Sequence, residues 1–262
     1  MKSAFHLITP HMIALLAAVN TTTALAEEQN QPPQQNQPQA QNEHAKQDAD
    51  RLWSGEVALG YLQSSGNTNT TNFNGKSKAI RNGETWRNTY KLDGNNESSE
   101  DERTAEDYFA SFKADYKLDE DSYLFGLEEY TDDRFSGYNY ETSTTFGYGR
   151  VLIKNDRHVL SGDVGLGYRY SELDDGDVEE DAVVRVGGLY KWTINESTTL
   201  DEEFSVEMGE DKRTDKSLTK LQVKVNGNLW GFIAYEIKRV SDTPPDVKNS
   251  DRNTSVGLNY QF

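Results

Sequence analysis

From residue 53 to the end of the chain, apolar and polar residues alternate one by one. Such a period of two puts successive side chains on opposite faces of a strand. The last stretch shows it plainly. Thr254, Val256, Leu258, Tyr260 and Phe262 share one face, and Ser255, Gly257, Asn259 and Gln261 the other. Tyr108, Ala110, Phe112, Ala114 and Tyr116 alternate with Ser111, Lys113, Asp115 and Lys117 in the same way. So do Leu160, Gly162, Val164, Leu166, Tyr168 and Tyr170 against Ser161, Asp163, Gly165, Gly167 and Arg169. Leu200, Phe204, Val206 and Met208 face away from Asp201, Glu203, Ser205 and Glu207, and Glu202 falls on the apolar side. No stretch here keeps the helical period.

Read in order, the pattern predicts twelve strands: 53–63, 70–80, 84–95, 108–117, 123–130, 138–152, 158–171, 180–192, 198–208, 220–226, 230–239 and 254–262. Most are longer than globular strands, which average five or six residues, and match the roughly 9–11 that a tilted strand needs to cross a bilayer. Short turns at 81–83, 119–121, 154–157, 193–196 and 226–228 alternate with connections read as longer and acidic, at 97–103, 173–179, 209–215 and 241–251. The expected fold is all-β: a closed antiparallel transmembrane β-barrel of about 12 strands. Closure matters because hydrocarbon offers no partner to an open strand edge. On the outer-membrane pattern the short turns and both chain ends face the periplasm. Trp53, Trp86, Trp192 and Trp230 then gather at that rim, where indoles favour the headgroup level.

Composition changes the picture little. The chain is 34% hydrophobic, with mean hydropathy −0.84, which would suit a soluble acidic protein. A membrane barrel also averages polar, because only alternate residues meet lipid. The net charge of −17 argues against nucleic acid as a partner. There is no cysteine, hence neither disulfide nor thiolate metal site. Residues 1–26 read as a signal peptide, with an apolar run Leu7–Val19 and Ala24-Leu25-Ala26 before the cut. Residues 27–50, rich in Gln, Asn and Pro, read as a disordered periplasmic tail, and residues 51–262 as the barrel.

The face opposite lipid carries both signs of charge. Candidate lumen residues are Lys76, Arg87, Lys113, Asp115, Glu128, Asp163, Arg169, Arg185, Asp201, Glu203, Lys220, Lys224 and Glu236. Two pictures follow: opposite charges cross-link and plug a narrow barrel, or water fills a small passage that the charges filter. Alternation alone leaves both open. A lipid-facing hydrolase is the rival class. Beyond residue 50 the one histidine is His158, and Ser161 falls on the face opposite to it. No catalytic residue, cofactor or resident metal is expected, and Asp174-Asp175-Gly176-Asp177 reads as a solvated turn rather than a Ca²⁺ loop. Expected partners are outer-membrane lipid and lipopolysaccharide, and the assembly machinery that recognises a terminal strand ending in Phe262.

Trp53-Ser54-Gly55-Glu56-Val57-Ala58-Leu59-Gly60-Tyr61, followed by Ser65-Gly66-Asn67-Thr68-Asn69-Thr70, resembles the opening of the salt-induced outer-membrane proteins, the YdiY-like domain of unknown function. The resemblance covers residues 51–262. It implies an outer-membrane barrel of a Gram-negative bacterium whose expression is linked to salt, and it carries no catalytic set. The function expected is a narrow passive channel for ions or small solutes. The alternative is a non-conducting structural or interaction barrel of the envelope.

Overall fold

The computed structural model describes residues 52–64, 70–100, 102–210, 212–241, 243 and 249–262. The signal and tail readings, at 1–26 and 27–50, lie outside the described residues.

Twelve antiparallel strands form one closed ring: β1 Trp53–Ser64, β2 Thr70–Asn82, β3 Trp86–Ser99, β4 Glu102–Lys117, β5 Ser122–Asp133, β6 Tyr138–Lys154, β7 His158–Leu173, β8 Val178–Asn195, β9 Thr198–Met208, β10 Arg213–Asn226, β11 Leu229–Val240 and β12 Ser250–Gln261. Each strand pairs with its sequence neighbours, and β1 closes on β12 with Val57 opposite Tyr260 and Leu59 opposite Leu258. The closing seam is extended by Gly55 and Phe262, each donating its backbone N–H to the other's carbonyl at 3.0 Å.

The alternation sorts the faces as the sequence predicts. Leu166 is 70% exposed, Phe146 67% and Leu258 53%, all on the outer wall, while Asn259 beside Leu258 is wholly buried inside. A wall of exposed leucine, valine and phenylalanine would aggregate in water and is the surface that lipid covers. Aromatic pairs rim both ends of it. At one end Trp53 stacks on Tyr90 at 6.4 Å, Trp86 meets Tyr116 at 5.1 Å, and His158 stacks on Trp192 at 6.0 Å. At the other, Tyr140 stacks between Tyr130 and Tyr170 at 6.0 and 5.9 Å.

Three sequence readings are corrected. The connections at the tyrosine end are shorter than expected: β3 and β4 meet across 100–101, and 209–212 joins β9 to β10. Polar stretches such as Glu102–Asp107 and Arg213–Lys220 continue the ladder, because backbone pairing needs no apolar side chain once the strand leaves the lipid belt. Trp230 stays at the tryptophan end but turns inward, opposite Lys224 and on the same face as the buried Phe232 and Ala234. Glu128 is on the outer wall, opposite the exposed Phe112, where it accepts a 2.5 Å bond from the Thr144 hydroxyl. Its strand carries apolar residues on both faces, so alternation could not tell inside from outside. The inner face is Tyr123, Phe125 and Leu127, all buried.

The reason for that choice lies on the neighbouring strands β6 and β7. Gly147, Gly149 and Gly165 leave the facing wall bare, and the Phe125 and Tyr123 rings lie against it. A Cβ on Gly147 would sit 2.7 Å from the Phe125 ring. On the other side of the rings, Lys113 Nζ lies 4.5 Å from the Phe125 centroid, and the Arg87 guanidinium 4.9 Å from that of Tyr123.

Candidate lumen site

Inward residues recur every second position except at bulges, such as those between Tyr138 and Tyr140 and between Val151 and Ile153 on β6, so the lumen is lined by all twelve strands. Of the charges singled out in the sequence, all but Glu128 project inward. Arg87 binds Asp115 on the neighbouring strand at 2.7 Å. Lys113 and Arg185 share Asp163, at 2.6 and 2.8 Å. Asp201 accepts a 2.6 Å bond from the Gln222 amide. Lys224 is exposed at the tryptophan-end mouth, its ammonium 5.8 Å from the Trp230 ring centroid.

Other pairs reach across the ring. Lys76 on β2 meets Glu236 on β11 at 2.5 Å, and Lys220 on β10 meets Glu56 on β1 at 2.7 Å. Two pairs span it fully. Lys91 on β3 bonds to Glu203 on β9, and five strands separate those two whichever way round the ring is followed. Lys238 on β11 reaches Asp133 on β5 at 3.2 Å, again between opposite strands. Lys91 lies in the half of β3 nearer the tryptophans, and Asp133 ends β5 at the tyrosine end. The lumen therefore carries two crossbars, one above the other.

The tyrosine-end half is packed more tightly. Arg169 is 4% exposed and donates to Asp181 at 2.6 Å and to the Lys212 carbonyl at 2.9 Å. Lys212, in the 209–212 connection, turns inward to bond Glu141, donates to the Ser171 hydroxyl at 3.1 Å, and stands 3.7 Å over the Tyr138 ring. Burial pushes the Lys212 ammonium down from its ordinary value, against the pull of Glu141. Between Glu129, Glu141, Ser143, Arg169, Glu207 and Lys238 there remains a cavity of about 30 Å³, room for one water.

Sequence reasoning left Asp133, Glu141, Asp181 and Lys212 out of the lumen. Asp181 shares its parity with Arg185, a signal that was present. Lys212 sits in a connection, where alternation says nothing about direction. On the outer wall, His158 Nδ1 lies 2.9 Å from the Tyr190 hydroxyl, and Ser161 projects to the opposite side. Glu202, also outward, accepts the Ser217 hydroxyl at 2.8 Å and that of Thr219.

Residues 57–262 match the family described as a protein of unknown function, DUF481. The chain belongs to this family. It is 30% identical over 217 residues to the uncharacterized protein YdiY of Escherichia coli (strain K12), covering 82% of this chain and 85% of that one. Among solved structures, the NanC porin superposes with a TM-score of 0.50 at 14% identity, over 78% of this chain and 98% of that one. An outer-membrane channel from Pseudomonas putida F1 gives a TM-score of 0.48 at 10% identity, over 80% and 94%. Family membership supports the YdiY-like resemblance of the opening strands, and the NanC likeness is one of fold.

Proposed function

We propose that the protein is an outer-membrane barrel of a Gram-negative envelope, working without catalysis as a narrow passage for small ions that ion pairs bar at low salt. One observation carries this reading: the Lys91–Glu203 pair meets across the lumen from opposite strands. Both partners remain wet, with side chains 23% and 36% exposed. Mobile ions therefore reach the bar. The screening length falls from about 10 Å in 0.1 M salt to about 3 Å in 1 M, so salt weakens an attraction of this kind. The apolar outer wall with aromatic rims supports the bilayer, and the tryptophan end, holding both ends of the barrel sequence, is assigned to the periplasm. Lipopolysaccharide then surrounds the tyrosine end, and the terminal strand ending in Phe262 is what the assembly machinery reads.

A sealed structural barrel is the second reading, favoured by the dense packing of Arg169, Asp181, Lys212 and Glu141. Single-channel recording of the refolded chain in a planar bilayer decides between them. The expected result is conductance that rises more steeply with KCl, between about 0.1 M and about 1 M, than the conductivity of the solution does. Silence from verified folded barrels at both ends of that range would overturn the passage and leave the sealed barrel.

A further inference from the structure

The lower crossbar belongs to a cluster of charges in which one lysine has no bonded partner. Lys78 on β2 stands directly opposite Glu56 on one side and Lys91 on the other. Glu56 is taken by Lys220 at 2.7 Å, and Glu203 by Lys91. Lys78 feels repulsion from Lys91 and Lys220 and attraction from Glu203 and Glu56. Among the described residues its ammonium is itself bonded to no carboxylate. Asp93, two residues from Lys91 on the same face, lies 4.0 Å from Lys76, and Asp201, opposite Lys220, accepts from Gln222, so Lys78 is the ammonium of this group left without a bonded carboxylate.

An ammonium withdrawn from bulk water without a counter-charge is costly, and a protein compensates it with a partner or an ion. The neighbouring carboxylates Glu56, Glu203, Asp93 and Asp201 already hold other partners. Further lysines lie on the same side of the bar. Lys224 and Lys191 are exposed on lumen-facing positions near the tryptophan end. Anions entering there pass Lys224 and then Lys191, which stands opposite Asp201, before they meet Glu203.

We propose that Lys78 anchors a small-anion site at the lower crossbar, of a charge to take chloride, sulfate or phosphate. The site deepens the passage reading by giving it a sign: at its waist the lumen favours anions, despite the chain's overall acidity. A fixed charge at a constriction governs selectivity more than charges at the rim, because every permeating ion passes close to it there.

The test uses the full mature chain refolded in detergent and in bilayers, as wild type, Lys78→Gln and Lys78→Arg. Folding is verified for each by heat-modifiable gel migration. Two readouts are taken: reversal potential in a KCl gradient, and equilibrium titration with sulfate. With Lys78→Gln the chloride-to-potassium permeability ratio is expected to fall about threefold or more and sulfate binding to weaken about fivefold or more, while Lys78→Arg retains both. Unchanged selectivity and unchanged sulfate affinity overturn the site and mean a hydrated lysine only. If every barrel is silent but Lys78→Gln weakens sulfate binding, the site stands and the passage reading falls. Silent barrels with unaltered sulfate binding overturn both.

Discussion

At the residue scale, the buried pair Arg169–Asp181 is the most exacting contact in the lumen. Each side chain is about 5% exposed or less, and their 2.6 Å bond is backed by the Lys212 carbonyl. Such a pair adds little net stability against an apolar alternative, but breaking one side strands a buried charge, at a cost of about 3–5 kcal/mol. Asp181→Ala is therefore expected to lower the unfolding free energy of the refolded barrel by that order, read from urea titration followed by tryptophan fluorescence. A shift equal to that of an exposed aspartate would remove this pair from the account. The exposed Asp119 behaves differently. Its Oδ1 accepts the backbone N–H of Asp121 at 2.8 Å and of Ser122 at 2.7 Å, which holds its carboxyl below the usual carboxylate range. Because the folded value is depressed, its contribution is present above the unfolded value and is lost as pH falls through the folded one. NMR titration of the turn should show Asp119 protonating later than a free aspartate as acid is added, and Asp119→Ala should abolish the step.

At the scale of elements, alternation made every strand and most inward charges of the tryptophan half legible, since period two is imposed by the backbone itself. It failed where that signal is weak. On β5 both faces are apolar, so Glu128 was put inside, when the glycines of β6 and β7 make the inner wall the place for its aromatics. Past the predicted end of β5 the ladder runs on through polar residues, so Asp133 was lost to a supposed loop, while Glu141 and Asp181, near the starts of their predicted strands, were not counted among the inward charges. Glycine placement holds the missing information. A Cβ on Gly165 would lie 2.6 Å from Thr145 Cγ2 and 2.8 Å from the Phe146 carbonyl, which no rotamer change relieves. Gly165→Val is thus expected to abolish the folded, heat-modifiable band on refolding. Gly227, in the two-residue turn of β10 and β11, has nothing within 4 Å but a φ of 51°. Gly227→Val should slow hairpin formation and leave the finished barrel intact.

At the scale of the molecule, the partners across the lumen were beyond the sequence, because which inward residues meet depends on the stagger with which the ring closes. The closed ring sets two bars in series, Lys91–Glu203 nearer the tryptophans and Lys238–Asp133 nearer the tyrosines. Resistances in series make a specific demand. Removing one bar leaves the other to limit current, so either change alone gives little. Replacing both members of a bar by glutamine or asparagine keeps the net charge of the lumen, so that added charge does not confuse the result. Lys91→Gln with Glu203→Gln, and Lys238→Gln with Asp133→Asn, are each expected to raise low-salt conductance by less than about twofold, and the four changes together by more than the product of the two. The excess should shrink in high KCl, where salt has already loosened the intact bars. Effects that simply multiply would mean that the bars do not limit the same path, and would move the barrier to the packed Arg169–Lys212 level.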